Sequence, residues 1–222
     1  MSPFRFGANR RDFLVFGGAL AVAGAPVLAL AQAESKGAPA AKAPLDLLMA
    51  EPPLPDLWLG DAKAPVTIIE YASMTCSHCA DFNVRTFPLL KANYIDKGKV
   101  RFALREFSLD PLAAAAAMLA RCSGDKREAM VELMFQQQKN WAFVNNPLEG
   151  LRDLLKQTGM GQTAFDNCLN DQSLFDKVNA IRDTAAQKFG ISATPTFFID
   201  GDKKPGEITP EALDEVLAPY FK

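Results

Sequence analysis

The chain has 222 residues, 49% of them apolar and 23% charged, which is enough for one well-buried core and unlike a disordered segment. Twenty-four Lys and Arg against 26 Asp and Glu leave a net charge of −2 and a pI near 5.5, so no positive field exists to hold nucleic acid. A single histidine, His78, excludes a multi-histidine zinc site and any Ser-His-Asp triad that omits it.

Residues 1–33 read as an export signal. Arg5, Arg10 and Arg11 precede an uncharged run from Phe13 to Ala31, and Ala31 and Ala33 offer an Ala-x-Ala cleavage site. Asn9-Arg10-Arg11-Asp12-Phe13-Leu14 is similar to a twin-arginine signal, with Asn9 where Ser or Thr is usual. The alternative is an uncleaved membrane anchor, disfavoured because Ala, Gly and Pro26 make the run weakly hydrophobic. Cleavage after Ala33 leaves 189 residues carrying −4, in a periplasmic or otherwise exported location where disulfides persist.

Residues 34–56, with five prolines and little periodicity, read as a tether, and folding is expected from Leu57. Pro65 to Tyr71 is a nearly continuous apolar run suited to a central strand. A helix is predicted from Cys76 to about Asp96, kinked at Pro88, and a second strand from Val100 to Phe107. Helices are then expected at 112–122, 126–139, 147–158 and 163–169, together forming an all-helical insertion over 111–177. A longer helix from about Ser173 ends before Gly190. Thr196 to Ile199 enters a hairpin through Asp200-Gly201, with the returning strand near 203–208, and Thr209-Pro210 starts a last helix. The order gives an α/β domain over 57–110 and 178–222, split by the helical insertion.

Cys76-Ser77-His78-Cys79 falls just after the first strand and opens the helix. Unpaired amides and the positive dipole end of a helix stabilise an anion on the first cysteine, and a thiolate is the attacking species in disulfide exchange. His78 can add a positive charge or a donor to that sulfur, favouring the dithiol over the disulfide. A structural disulfide, or half of a zinc site completed by Cys122 and Cys168, is the alternative for this motif. The redox reading is preferred because export, placement and the downstream proline agree independently. In Ile191 to Ile199, Pro195 removes an amide at a strand entrance and biases Thr194 toward an extended form, leaving backbone groups open to an added peptide. An ordinary trans proline is the alternative there.

These residues resemble the thioredoxin superfamily, and within it the DsbA-type periplasmic disulfide oxidoreductases, over roughly Leu57 to Tyr220. Ser77 replaces the proline usual in that motif, His78 matches it, and Thr75 stands where thioredoxins carry Trp. The resemblance implies a thioredoxin-like fold with an inserted helical subdomain and a cis bond at Thr194-Pro195. It further implies that Cys76 exchanges with client thiols while Cys79 resolves the mixed disulfide.

Glu70 lies in the first strand on the face shared by Val66 and Ile68. Buried there it would accept or relay the proton of Cys79, and an acidic residue occupies this place in many members of the resembling family; the alternative is a Glu turned to solvent at a sheet edge. Cys122 and Cys168 are expected to form a second, structural disulfide, with buried free thiols as the alternative. The expected activity is introduction of disulfides into secreted cysteine-containing proteins. Isomerase or reductase action stays open because Thr194 before Pro195 also occurs in those branches, and a peptide-binding or chaperone-like module with an inert disulfide is a second class. A membrane or soluble redox partner would reset the pair. No cofactor, metal or nucleic acid is indicated, and a monomer is expected.

Overall fold

The structure, a computed structural model, describes residues 43–221, so the expected signal and the first part of the tether lie outside the described residues. Its centre is a five-stranded sheet in the order β1-β3-β2-β4-β5, formed by β1 (Trp58–Leu59), β2 (Val66–Ala72), β3 (Val100–Glu106), β4 (Thr196–Ile199) and β5 (Asp202–Pro205). β2 pairs parallel with β3, and all other neighbours are antiparallel. Every residue of β2 is buried, as its run of β-branched and apolar side chains requires of a strand covered on both faces.

Side-chain alternation along β2 divides the core. Val66 and Ile68 pack with Phe82, Phe87, Leu90, Phe197, Leu213 and Leu217, whereas Ile69 and Tyr71 pack on the other face with Leu48, Ile181, Ala185 and Phe198. A third cluster fills the insertion and reaches the sheet end at Ala72, Met74 and Cys79. The insertion comprises α4 (Pro111–Cys122), α5 (Arg127–Gln136), α6 (Gln138–Trp141), α7 (Pro147–Lys156) and α8 (Gln162–Leu169), preceded in the chain by α1 (Leu45–Met49), α2 (Ser77–Asp81) and α3 (Phe87–Leu90). The long α9 (Gln172–Phe189) returns to the sheet and stops at Gly190, whose left-handed backbone ends the helix. α10 (Leu213–Leu217) closes the described chain with a 3₁₀ turn.

Five sequence expectations are corrected. Residues 43–56 are not simply a tether: α1 buries Leu48 completely, and Asp56 forms an ion pair with Arg105 at 2.7 Å, a long-range partnership that composition cannot reveal. The helix after the cysteines contains two π-helical stretches, Phe82–Thr86 and Lys91–Ile95, flanking α3. Pro88 offers no amide to the Val84 carbonyl, and just before it the Phe87 amide bonds five residues back, to Phe82. The helix expected over 126–139 breaks at Gln137 (φ −101°, ψ 13°). Finally, β5 begins directly after the two-residue turn Asp200-Gly201, which sets Ile199 opposite Asp202, so the strand lies earlier than 203–208. Likewise Thr209 and Pro210 form a turn, closed by the Ala212 amide on the Thr209 carbonyl, and α10 starts three residues later than expected.

Cys122 and Cys168 are joined, with S–S 2.08 Å and Cα–Cα 6.2 Å, which binds α4 to α8. Beside this link Glu106 accepts from Arg121 at 2.6 and 2.8 Å and from Arg127 at 2.9 Å, tying the end of β3 to α4 and α5. Burial opposes ionisation of Glu106, but the two guanidiniums overcome it and hold the carboxyl below its ordinary range.

Candidate active site

β2 ends at Ala72, and a turn closed by the Cys76 amide on the Ser73 carbonyl leads into α2, of which Cys76 is the N-cap. Cys76 is half-buried and Cys79, one turn along, is wholly buried. They are not bonded to each other. The Thr194-Pro195 peptide bond, at the entrance to β4, is cis and faces them: the Cys76 thiol donates to the Thr194 carbonyl at 3.4 Å.

The two sulfurs differ sharply in acidity. Cys76 is lowered from 9.0 to about 5, first by the hydrogen bond from the Cys79 thiol; partial burial opposes this, and the Thr194 hydroxyl and the amides of Cys79 and His78 add to it. In the thiol form the Thr194 hydroxyl is buried without a partner, so it stands ready to donate to the thiolate. Cys79 moves the opposite way, raised by burial, by its hydrogen bond to Cys76 and by the charges of Glu70 and Cys76. Thus Cys76 is ionised at neutral pH while Cys79 keeps its proton.

Glu70 is 1% exposed on β2, paired across to Leu104 and Phe197. Burial, followed by the charge of Cys76, raises its carboxyl well above the ordinary value, and its Oε1 has no hydrogen-bond partner. The solvent-facing alternative for this residue is therefore removed. His78 departs from expectation. Its side chain is 69% exposed and its Nδ1 lies 3.2 Å from Glu207 Oε2, so what reaches the Cys76 sulfur is the His78 backbone amide and not its ring. With Asp81, His78 and Glu207 hold donor atoms within 4.8 Å of one another, but on an exposed surface. The four-cysteine zinc reading falls because Cys122 and Cys168 are bonded to each other.

Several residues near Cys76 carried no sequence signal for the site. Asp110 caps α4 through the Ala113 amide at 2.8 Å and accepts from the Thr75 hydroxyl at 2.6 Å. Its Asp-Pro spelling announces a helix start, though not the bond to Thr75. Gln138 donates to the carbonyls of Met74 and Cys76 from 62 and more residues away. Met118, Met130, Met134, Phe82 and Trp141 are core residues.

The family profile described as thioredoxin matches residues 54–218. Among solved structures, alpha-DsbA1 of Wolbachia pipientis is 34% identical with a TM-score of 0.71, covering 79% of this chain and 95% of that one. Oxidised BdbD of Bacillus subtilis, 24% identical with a TM-score of 0.63 over 74% of this chain and 92% of its own, shares the fold. A Rickettsia typhi protein with the provisional name protein-disulfide oxidoreductase is 35% identical over 148 residues, 66% of this chain. This chain spans 55% of that relative, about half the length of the curated relatives it matches.

Proposed function

The chain belongs to the thioredoxin family and is DsbA-like within it, and from that premise we propose that it is an exported thiol:disulfide oxidoreductase that introduces disulfides into secreted proteins. The observation that carries this reading is the opposed acidity of two sulfurs one turn apart, Cys76 at about 5 and Cys79 far above the ordinary thiol range. Export is supported by the pattern in residues 1–33 and by the Cys122–Cys168 bond, which suits an oxidising compartment.

In the reaction a client thiolate attacks Cys76 Sγ of the Cys76–Cys79 disulfide. A client–Cys76 bond forms, the internal bond breaks, and the electron pair leaves on Cys79. Cys79, whose environment disfavours charge, takes a proton, and Glu70 is the buried carboxyl placed to deliver it. A second client thiolate then attacks the client sulfur of the mixed disulfide, and Cys76 departs as the stabilised thiolate. Two electrons pass from client to enzyme, and a redox partner must remove them before the next cycle. The cis Thr194-Pro195 segment beside Cys76 is the docking place for the client strand.

Stabilising the departing thiolate stabilises the reduced enzyme, and one pKa unit, about 1.4 kcal/mol, corresponds to about 30 mV in a two-electron couple. Equilibration with glutathione redox buffers is expected to give a potential well above the value of about −270 mV for thioredoxin. A potential as reducing as that would overturn the oxidase assignment.

A further inference from the structure

We propose that Gln138 is a positioning residue for Cys76: a single side-chain amide on the helical insertion grips the two carbonyls flanking Thr75 and so fixes the exchanging sulfur at the head of its helix. This deepens the oxidoreductase reading and rests on it only in taking Cys76 as the exchanging cysteine.

Gln138 is 3% exposed, and its Nε2 donates to the Met74 carbonyl at 2.9 Å and the Cys76 carbonyl at 3.0 Å. Both hydrogens of the amide are thereby used on one short stretch of chain. No solvent reaches the amide to replace those bonds, so removing it leaves the buried Met74 carbonyl unpaired. The Cys76 carbonyl already accepts the Ala80 amide at 3.1 Å, the first bond of the helix. With both lone pairs occupied from two directions, the plane of the peptide after Cys76 is fixed. That plane is what matters for the sulfur. The amides of His78 and Cys79 reach Sγ only while Cys76 keeps its N-cap conformation, φ −83° and ψ 121°, and hydrogen bonds weaken steeply with misalignment. The break between α5 and α6 at Gln137 is where the chain turns just before Gln138.

A Gln138 that only satisfied buried carbonyls would affect stability and leave the ionisation of Cys76 alone. The test is therefore titration of the Cys76 thiolate by ultraviolet absorbance in the reduced full chain, with thermal unfolding of each variant recorded alongside. Gln138→Met keeps the length of the side chain and removes both donors. Its midpoint is expected to rise by about one unit, a roughly tenfold smaller thiolate fraction in acid, and the pH profile of iodoacetamide labelling should move with it. Gln138→Asn, one methylene shorter, should fall between. A folded Gln138→Met with the parent's midpoint overturns the proposal. If that variant does not fold, Gln138→Asn must show the rise by itself, and an unchanged midpoint there overturns it equally. Neither measurement uses a client, so a parent that fails to oxidise reduced proteins would refute the enzymatic reading while leaving this outcome separately visible.

Discussion

At Glu70 a buried carboxyl with an unpartnered oxygen faces the environment of a thiol that resists ionisation. Its raised pKa means the folded protein holds this proton more tightly than the unfolded chain does. Its contribution to stability is therefore complete below the unfolded value of about 4.3 and declines as pH climbs toward the folded value. Glu70→Gln should remove that decline, raising the urea midpoint at neutral pH relative to the parent, while slowing client oxidation by about 10²-fold through loss of the proton carrier. A variant that is neither stabilised nor slowed would show that Glu70 is ionised in the fold and idle in the reaction. At this scale Cys76, Cys79 and Glu70 were legible, because a strand-to-helix junction and side-chain alternation are local properties, whereas the cis form of Thr194-Pro195 came only from the family resemblance. His78 was legible as a neighbour and misread in direction, since only the fold brings Glu207 to its ring. Gln138 and Asp110 were invisible as site residues, their partners lying 35 to 64 positions away in the chain.

Between elements, the insertion is fastened at one end by the Cys122–Cys168 bond and the adjacent Glu106, Arg121 and Arg127 group. Cross-linking cysteines 46 positions apart removes loop entropy from the unfolded chain. The double replacement Cys122→Ala/Cys168→Ala is thus expected to lower unfolding free energy by about 4 kcal/mol, read from the midpoint of urea denaturation. A midpoint within error of the parent's would show that the link constrains nothing the packing does not already hold. Strands and helices of ordinary length were placed well from periodicity and from Gly and Pro punctuation. One error fell where tertiary contacts decide the outcome, a five-residue helix held by one buried leucine; others fell on local backbone geometry, the π turns around Pro88 and a hairpin whose register is dictated by its turn.

For the molecule as a whole, the chemistry predicts a covalent capture. With Cys79→Ala the Cys76 thiolate can attack a disulfide already present in a client protein, a Cys76–client bond forming as the other client sulfur leaves as thiolate. This mixed disulfide cannot be resolved from within, so adducts should accumulate through Cys76 and disappear with reductant. Absence of such adducts, with Cys76 shown to be reactive, would favour a binding module over an oxidase. The split α/β architecture was readable from the order of elements, whereas the packing of residues 43–56 onto it was not. The borders of the sheet carry one more consequence. On one side β1 offers only Trp58 and Leu59, and on the other β5 presents Lys203, Lys204 and Pro205. Short, charged or proline-bearing margins are poor templates for further strands. Growth of this sheet by edge-to-edge addition of strands is thereby discouraged at both margins.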